Sequence, residues 1–388
     1  MSKKYNLLIP LAGKGNRMLE GGYTFPKPMI MVGNKAILDY GLDSIDYSNC
    51  NLIFVVRKDH VCNFSIDVWL KNKYGNDIQI VITEKDTKGS VSSCLLAKKF
   101  INNNTPLIVF CPDVYFEPVF VPTNNLFENE GHILTFKSNS SNYSYVCLNK
   151  DGFVDHTAEK IVISENASVG VYCFKNGKSF VNISELAQRE GLDTKNEFYI
   201  CPLYNLLVAA GGKITTESVD TMYIMGTPEE LEFFEKVIFP YFLDRSFILC
   251  SDHSGFDLKE KAKSYLEKNN LTFLDCGCFS SNDCDYSDYI DQAVKSKKYF
   301  PGALILGFCR SANGVNICAN KKDNIRAAIV STEDSARLAI LHNAANFLSI
   351  PTGTVLETEL RKIISVLQKE KFQGGRHQNR LQKIEYYG

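Results

Sequence analysis

The sequence lacks any apolar run of about 18 residues, any Cys-x-x-Cys pair and any surplus of one charge. Each absence removes a class of function. Without a long apolar run no segment spans a bilayer as a helix. Lys and Arg number 43 against 44 Asp and Glu, a formal net charge of -1, so bulk charge holds neither nucleic acid nor a membrane surface. The thirteen cysteines are odd in number and scattered, and Cys276-Gly-Cys278 is too tight for a zinc pattern. They read as reduced thiols of a cytoplasmic protein. Met1-Ser-Lys-Lys-Tyr5 runs directly into a strand-like segment and reads as leaving no room for a signal peptide. Internal repeats and low-complexity tracts are missing as well.

What is there is length and a restart. The 388 residues are 45% hydrophobic, enough for two cores, and single domains beyond about 250–300 residues tend to split. The apolar run Ser246-Phe-Ile-Leu-Cys-Ser-Asp-His-Ser-Gly-Phe256 begins afresh and ends in Asp252-His253, with a helical pattern opening at Asp257. Residues 1–240 therefore form one expected domain, 241–245 a short apolar linker and 246–388 a second domain. In the first, strand-like runs near 5–9, 51–56, 78–83 and 106–110 alternate with helical patterns near 36–45 and 90–101. Shorter strands follow near 132–136, 145–148 and 169–174, and helices near 198–210 and 228–237. In the second, strands near 247–250, 271–275, 303–307, 327–330 and 346–350 alternate with helices near 257–268, 287–296, 332–342 and 357–369. The fold class is α/β throughout, with a mixed sheet first and a smaller doubly wound parallel five-stranded sheet second. Ligands are expected at the carboxyl ends of the strands.

The first strand ends in Leu11-Ala-Gly-Lys-Gly-Asn-Arg-Met18, followed by Phe25-Pro-Lys-Pro28. Glycines after a strand let backbone N–H groups approach phosphates, while Arg17 and Lys27 supply charge. Prolines on both sides of Lys27 stiffen the segment and aim its ammonium. The plain alternative is a strand-to-helix turn with two solvated cations. Further along stand Thr87-Lys-Gly-Ser-Val91, Cys111-Pro-Asp-Val-Tyr115, Ser168-Val-Gly-Val-Tyr-Cys-Phe174, Asn196-Glu-Phe-Tyr199 and Gly226-Thr-Pro-Glu229. In combination these resemble the sugar-phosphate nucleotidyltransferases, or NDP-sugar pyrophosphorylases, over residues 5–240. The resemblance implies a Rossmann-like, GT-A-like sheet. It also implies in-line attack of a sugar phosphate on the α-phosphorus of a nucleoside triphosphate, with release of pyrophosphate. It places Arg17 on the triphosphate, Lys27 on the incoming phosphate or α-phosphate, and Asp113 on a Mg²⁺. Leu11, Ala12, Gly13, Lys14, Gly15 and Gly89 would line the nucleotide pocket. Ile224 stands where many members carry a second metal-binding Asp, which leaves Glu197 as a candidate ligand. His60, His132 and His156 match no motif and read as core or surface histidines.

The second half repeats the exercise with other residues. Asp252-His253-x-Gly255-Phe256, Asp285-Tyr286-x-Asp288-Tyr289, the stretch from Cys309 to Lys321, His342-Asn343 and Gly374-Gly-Arg-His-Gln-Asn-Arg380 follow in order. They resemble the ribose-5-phosphate isomerase B family, which includes the galactose-6-phosphate isomerase subunits. The resemblance implies Cys309 as the base of an aldose–ketose isomerisation, with Ser311 assisting. Backbone N–H groups around Asn313 and Gly314 would hold the oxyanion. It places Asp252 and His342 at ring opening, His253, Arg376 and Arg380 on the phosphate, and Tyr286 and Asn343 on hydroxyls. A second subunit would complete the pocket, so a homodimer or higher oligomer is expected. Arg310 and Ala312 stand where the family usually has glycine, and no Arg follows at Thr352-Gly-Thr354. One expectation is that Arg310 replaces the lost charge and lowers the pKa of Cys309. The competing one is that the rebuilt loop is inactive and the domain dimerises or senses a ligand. The leading reading is a bifunctional enzyme, with CTP favoured, that supplies an activated sugar or polyol for surface polysaccharide. A transferase with a non-catalytic second domain is the alternative.

Overall fold

The computed structural model describes residues 3–194, 196–243 and 245–387, and the chain divides into two compact units, Met1–Leu231 and Glu232–Gly388. Asp244, within the expected linker, lies outside the described residues.

In the first unit a mixed sheet runs in the order Val154–Glu159, Ser144–Leu148, Asn166–Phe174, Leu107–Phe110, Tyr5–Leu11, Cys50–Arg57 and Gln79–Thr83. The last four strands are parallel to one another, and Asn166–Phe174 joins them antiparallel through Leu107–Phe110. Gly131–Lys137 also pairs with Asn166–Phe174 and carries Ile214–Ser218 on its far side. The first strand explains the layering. Leu7, Ile9 and Leu11 enter one core, Leu8 enters the other, and all are buried, as alternation across a doubly covered strand requires. A separate ribbon pairs Val114–Glu117 with Thr221–Ile224, setting Ile224 opposite Val114. This ribbon carries the Gly226 turn back to Asp113, whose carbonyl accepts from Met225 N at 2.8 Å.

The second unit holds a fully parallel sheet in the order Phe273–Asp275, Phe247–Ser251, Leu304–Cys309, Phe347–Pro351 and Ala327–Ile329. Phe247 and Leu249 face one core, Ile248 and Cys250 the other. The strand order reverses direction between Phe247–Ser251 and Leu304–Cys309, and at such a switch point a crevice opens at the carboxyl ends. Asp252 and Cys309 stand there.

Several elements differ from the pattern read in the sequence. The helical run at 90–101 is two helices, Gly89–Leu95 and Lys98–Ile101, and 228–237 becomes Pro228–Phe233 followed by a π-turn, Phe234–Ile238. Helices Lys58–Phe64, Ile66–Tyr74, Gly177–Arg189 and Arg376–Tyr387 form where the sequence pattern marks none, as do the strands Val114–Glu117, Val154–Glu159, Ile214–Ser218 and Thr221–Ile224. Among the described residues no helix is long and apolar enough to cross a membrane. The thirteen cysteines are all free thiols.

Candidate active sites

In the first unit the loop after Tyr5–Leu11 turns through Gly15, whose φ of 68° is a left-handed conformation that glycine adopts without strain. Leu11 and Ala12 are buried, whereas Gly13 has nothing within 4 Å of where a Cβ would sit, so its backbone is open to a ligand. Lys14 pins the loop by pairing with Asp86 at 2.6 Å, and Asp86 also accepts from Arg57 at 2.8 Å. Three strand-end loops are thereby tied together. Arg17 projects exposed from the short helix Asn16–Glu20. Gly89 opens its helix at φ 86°, and a Cβ there would lie 2.6 Å from the carbonyl oxygen of Phe198. Close approach and backbone sign both require glycine. Phe198 N donates to Lys88 O at 3.0 Å and Val91 N to Phe198 O at 3.0 Å, which zips the Thr87–Val91 loop onto Asn196–Tyr199.

The charged centre is Lys27 with Asp113. Pro26 starts a single 3-10 turn, Lys27–Met29, that points the ammonium at Asp113 Oδ2, 2.6 Å away. Glu230 lies on the other side of Gly226: a Cβ on that glycine would be 2.9 Å from Glu230 Oε2 and 3.2 Å from Asp113 Oδ2. Glu230 accepts from the backbone N–H groups of Gly226 and Thr227, both at 2.9 Å, while Thr227 Oγ1 accepts from Glu230 N at 3.3 Å. This is a capping box closing the turn. Burial, then Asp113, pushes the Glu230 carboxyl up, with Lys27 opposing. Burial and Asp113 also push Cys111 up to about 12. Burial first, then Glu197, pushes the Tyr199 phenol up, which sets Glu197, the sequence candidate for a metal ligand, beside Tyr199. The carboxylate beside Asp113 is Glu230, one residue past the Gly-Thr-Pro-Glu motif. Its Thr-x-x-Glu spacing was the available signal.

Mg²⁺ in nucleotide enzymes takes one or two protein carboxylates and completes its shell with water and phosphate oxygens. Asp113 and Glu230 match that donor set. Among the described residues no group of three or more His, Cys, Asp or Glu gathers into a metal cage. Beside the pair lies a cavity of about 240 Å³, reached by Asp113, Tyr143, Glu159, Tyr172, Tyr199 and Ile224. Ser144 Oγ donates to Glu159, and burial pushes that carboxyl up. Lys160, at φ 57°, donates to the Tyr199 hydroxyl at 2.8 Å. Neither Glu159 nor Lys160 was singled out in the sequence, because no motif spacing marks them.

In the second unit the thiol of Cys309 donates to Asp252 Oδ2 at 3.0 Å. Asp252 is buried, and its Oδ1 accepts from Ser254 Oγ at 2.6 Å and Gly255 N at 2.9 Å. Burial first, then Asp252, pushes the Cys309 thiol up, while Ala312 N–H and Ser254 pull the other way. The shift is opposite to the one expected from Arg310. The Arg310 side chain is exposed, and its backbone N–H is what enters the site, donating to Ser254 Oγ at 3.0 Å. Ala312 keeps the left-handed φ of 61° and starts the helix Asn313–Ala319. The loop thus retains a glycine-like backbone despite its sequence. Ser311 is exposed and its Oγ accepts from Asn313 N at 3.4 Å. Tyr286 lies over Gly314, where a Cβ would sit 2.6 Å from the phenol oxygen. His253 is held by its Nδ1 against the Cys284 backbone, with N–H and carbonyl at 3.2 and 3.3 Å.

The remaining residues form a different group. His342, at the end of helix Glu333–Asn343, stacks on His377 with centroids 4.2 Å apart and planes 5° from parallel. Arg376 Nε lies 3.4 Å from His377 Nε2, and Arg376, Arg380 and Asn343 are exposed. Burial first, then the His342 charge, lowers the His377 pKa to about 4. Among the described residues no hydrogen bond, ion pair or ring contact joins this group to Cys309 and Asp252 within the chain. Of the histidines without motifs, His60 and His132 are buried and His156 is exposed beside Asp155.

Residues 8–200 match the family model for nucleotidyl transferases, and residues 247–384 that for ribose/galactose isomerases. The second region is 36% identical over 140 residues to a putative sugar phosphate isomerase of Rickettsia bellii, spanning 36% of this chain and 96% of that protein. It is 34% identical over 136 residues to ribose-5-phosphate isomerase B of Escherichia coli, spanning 34% of this chain and 89% of that protein. A solved nucleoside-diphosphate-sugar pyrophosphorylase from Vibrio cholerae shares the fold of the first unit. Its TM-score is 0.52 at 24% identity, over 59% of this chain and 99% of that one. The chain therefore belongs to the ribose/galactose isomerase family through its second half and carries a nucleotidyl transferase domain in its first, an enzyme in which a nucleotidyltransferase is fused to a sugar-phosphate isomerase.

Proposed function

We propose that the first domain couples a nucleoside triphosphate, with CTP favoured, to a sugar or polyol phosphate, and that the second interconverts an aldose and a ketose pentose 5-phosphate. The observation that carries the reading is one reactive group paired with one carboxylate at each set of strand ends: Lys27 with Asp113 and Cys309 with Asp252. In the transferase step an acceptor phosphate oxygen bonds to the α-phosphorus as the bond to the bridging oxygen breaks, and pyrophosphate leaves with the electron pair. Lys27 orients and neutralises the meeting phosphates, Arg17 draws the triphosphate in, and the open backbone at Gly13 and Gly15 lines its path. Asp113 with Glu230 would hold Mg²⁺, which when bound offsets phosphate charge. The hydroxyl-lined cavity beside them suits a polyol or sugar chain.

In the isomerase step the Cys309 S–H bond breaks and its proton passes to Asp252 Oδ2. The thiolate then takes the proton from the substrate carbon beside the carbonyl and returns it to the neighbouring carbon, while the hydroxyl proton passes from one enediolate oxygen to the other. Amides of the Ala312–Val315 turn stabilise the enediolate oxygen. His342, Asn343, Arg376 and Arg380 are supplied by a second copy, which accounts for their separation from Cys309 within one chain. CTP is favoured because a pentose 5-phosphate product resembles the acceptors of pentitol-phosphate cytidylyl transfer, and the product would feed a surface polysaccharide.

A matrix of five nucleoside triphosphates with Mg²⁺ against sugar and polyol phosphates, scored by pyrophosphate release, tests the first half. Solvent deuterium entering C2 of candidate pentose phosphates, and its loss in Cys309→Ala, tests the second. No exchange with any substrate would leave the second domain as a binding module.

A further inference from the structure

We propose that Ser254 is the positioning residue of the Cys309 site, its hydroxyl fixing the Asp252 carboxylate so that Oδ2 faces the sulfur. The inference rests on the isomerase reading and adds a residue that the reading does not use. The geometry is a short chain of donors and acceptors. Ser254 Oγ donates to Asp252 Oδ1 at 2.6 Å and accepts from Arg310 N at 3.0 Å. Its own carbonyl accepts from Thr352 Oγ1 at 3.1 Å. One residue thereby ties the carboxylate after the first strand of the sheet to the loops after two others.

An ionised carboxylate has about four acceptor positions, and which oxygen meets the thiol depends on what occupies the rest. Gly255 N and Ser254 Oγ both bond to Oδ1, leaving Oδ2 for Cys309. Gly255 alone would leave the carboxylate one fixed point about which to turn, since the terminal torsion of Asp is broad and roughly two-fold. Ser254 supplies the second. It also links the Asp252 end to the Arg310 amide, so the loop that carries the sulfur and the loop that carries the carboxylate move together. Gly255 cannot be spared from the turn, because a Cβ there would come within 2.3 Å of the Phe308 carbonyl oxygen. Ser254 is exposed, so its replacement leaves the core untouched.

The test is a double-mutant cycle on the full chain, read as the pH midpoint of Cys309 carbamidomethylation by peptide mass spectrometry, without any sugar phosphate. Asp252→Asn removes a carboxylate that holds the thiol protonated, so it moves the midpoint down. In a Ser254→Ala background the same change is expected to move it less than half as far, because the carboxylate is no longer held at the sulfur. Ser254→Thr, which keeps the hydroxyl, restores the full shift. Equal shifts with and without the hydroxyl would overturn the proposal, as would a full shift in Ser254→Ala with a reduced one in Ser254→Thr. Circular dichroism of each variant identifies any that has lost its fold. A chain with no isomerase activity would sink the functional reading, yet this midpoint would still decide the role of Ser254.

Discussion

The Cys309 sulfur and the Asp252 carboxylate meet at 3.0 Å across the point where the parallel sheet reverses its strand order. Strands Phe247–Ser251 and Leu304–Cys309 run side by side in register, Ser251 opposite Phe308, so the residues that follow them emerge together. Burial and Asp252 keep the thiol protonated above its ordinary range. At neutral pH Cys309 should therefore alkylate more slowly than the exposed Cys62, and speed up as pH rises past the ordinary thiol value. The linkage has a definite sign. A thiol whose pKa is raised on folding contributes stability that is present below its unfolded value and lost as pH rises through the folded value. Cys309→Ser should flatten that alkaline loss, and an unchanged alkaline limb in urea unfolding would contradict it.

Ala312 holds a left-handed φ of 61° that costs an L-residue about 1–2 kcal/mol. Ala312→Gly removes the strain but adds unfolded-state entropy of about 0.4–1 kcal/mol. A net gain of roughly 0.5–1 kcal/mol is expected. It should be read as slower amide exchange across Leu304–Cys309 and Asn313–Ala319. Ala312→Val should do the reverse, because a branched side chain tolerates this conformation worst.

Lys27 and Asp113 form an ion pair at 2.6 Å in the nucleotidyl transferase domain. Lys27→Ala should lower pyrophosphate release on the order of 10²–10³-fold, the usual effect of removing one preorganised charge from phosphoryl chemistry. The fold should survive, because a partly exposed pair contributes about 1 kcal/mol or less to stability. A variant that kept full activity would remove Lys27 from the mechanism.

His377 is buried against His342, and its pKa falls from 6.5 to about 4. A depressed histidine is bound to fewer protons when folded than when unfolded. Its stability is therefore present above pH 6.5 and lost as pH falls through about 4. His377→Phe keeps a ring in the stack and should flatten the acid limb between those values. Denaturant midpoints of parent and variant across that range check it. Parallel acid limbs would place the titration elsewhere.

Gly89 is held at φ 86° with its missing Cβ facing the Phe198 carbonyl oxygen at 2.6 Å. Gly89→Ala should destabilise the first domain by roughly 1–3 kcal/mol and loosen the loop that runs from Thr87 to Val91. Faster exchange at the amides of Val91 and Phe198 would report it, since these two close the zipper.

Much of both sites was legible from short-range rules. Alternating apolar residues in strands such as 5–9 and 247–250 set two sheets with both faces buried. Glycines at 15 and 89, and Pro26 beside Lys27, announced backbone conformations that only those residues adopt readily. The strands missed in the first domain are another matter. Val154–Glu159 contains Asp155, His156 and Thr157, and Ile214–Ser218 contains Thr215, Thr216 and Glu217. Their apolar period is broken, and they are strands because a neighbour already offers its edge.

Local sequence established the glycine turns, the Pro-braced lysine and the restart near Arg245, since each depends on the torsional limits of a few adjacent residues. Tertiary structure alone decided which carboxylate accompanies which reactive group. Glu230 stands by Asp113 because the ribbon of Thr221–Ile224 returns Gly226 to it. Asp252 meets Cys309, 57 residues away, because parallel pairing aligns two strand ends. Arg310 adjoins Cys309 in sequence, yet its side chain points to solvent while its amide faces Ser254. Adjacency in the chain sets torsions; the direction of a side chain and the dielectric around a thiol are set by what packs over them.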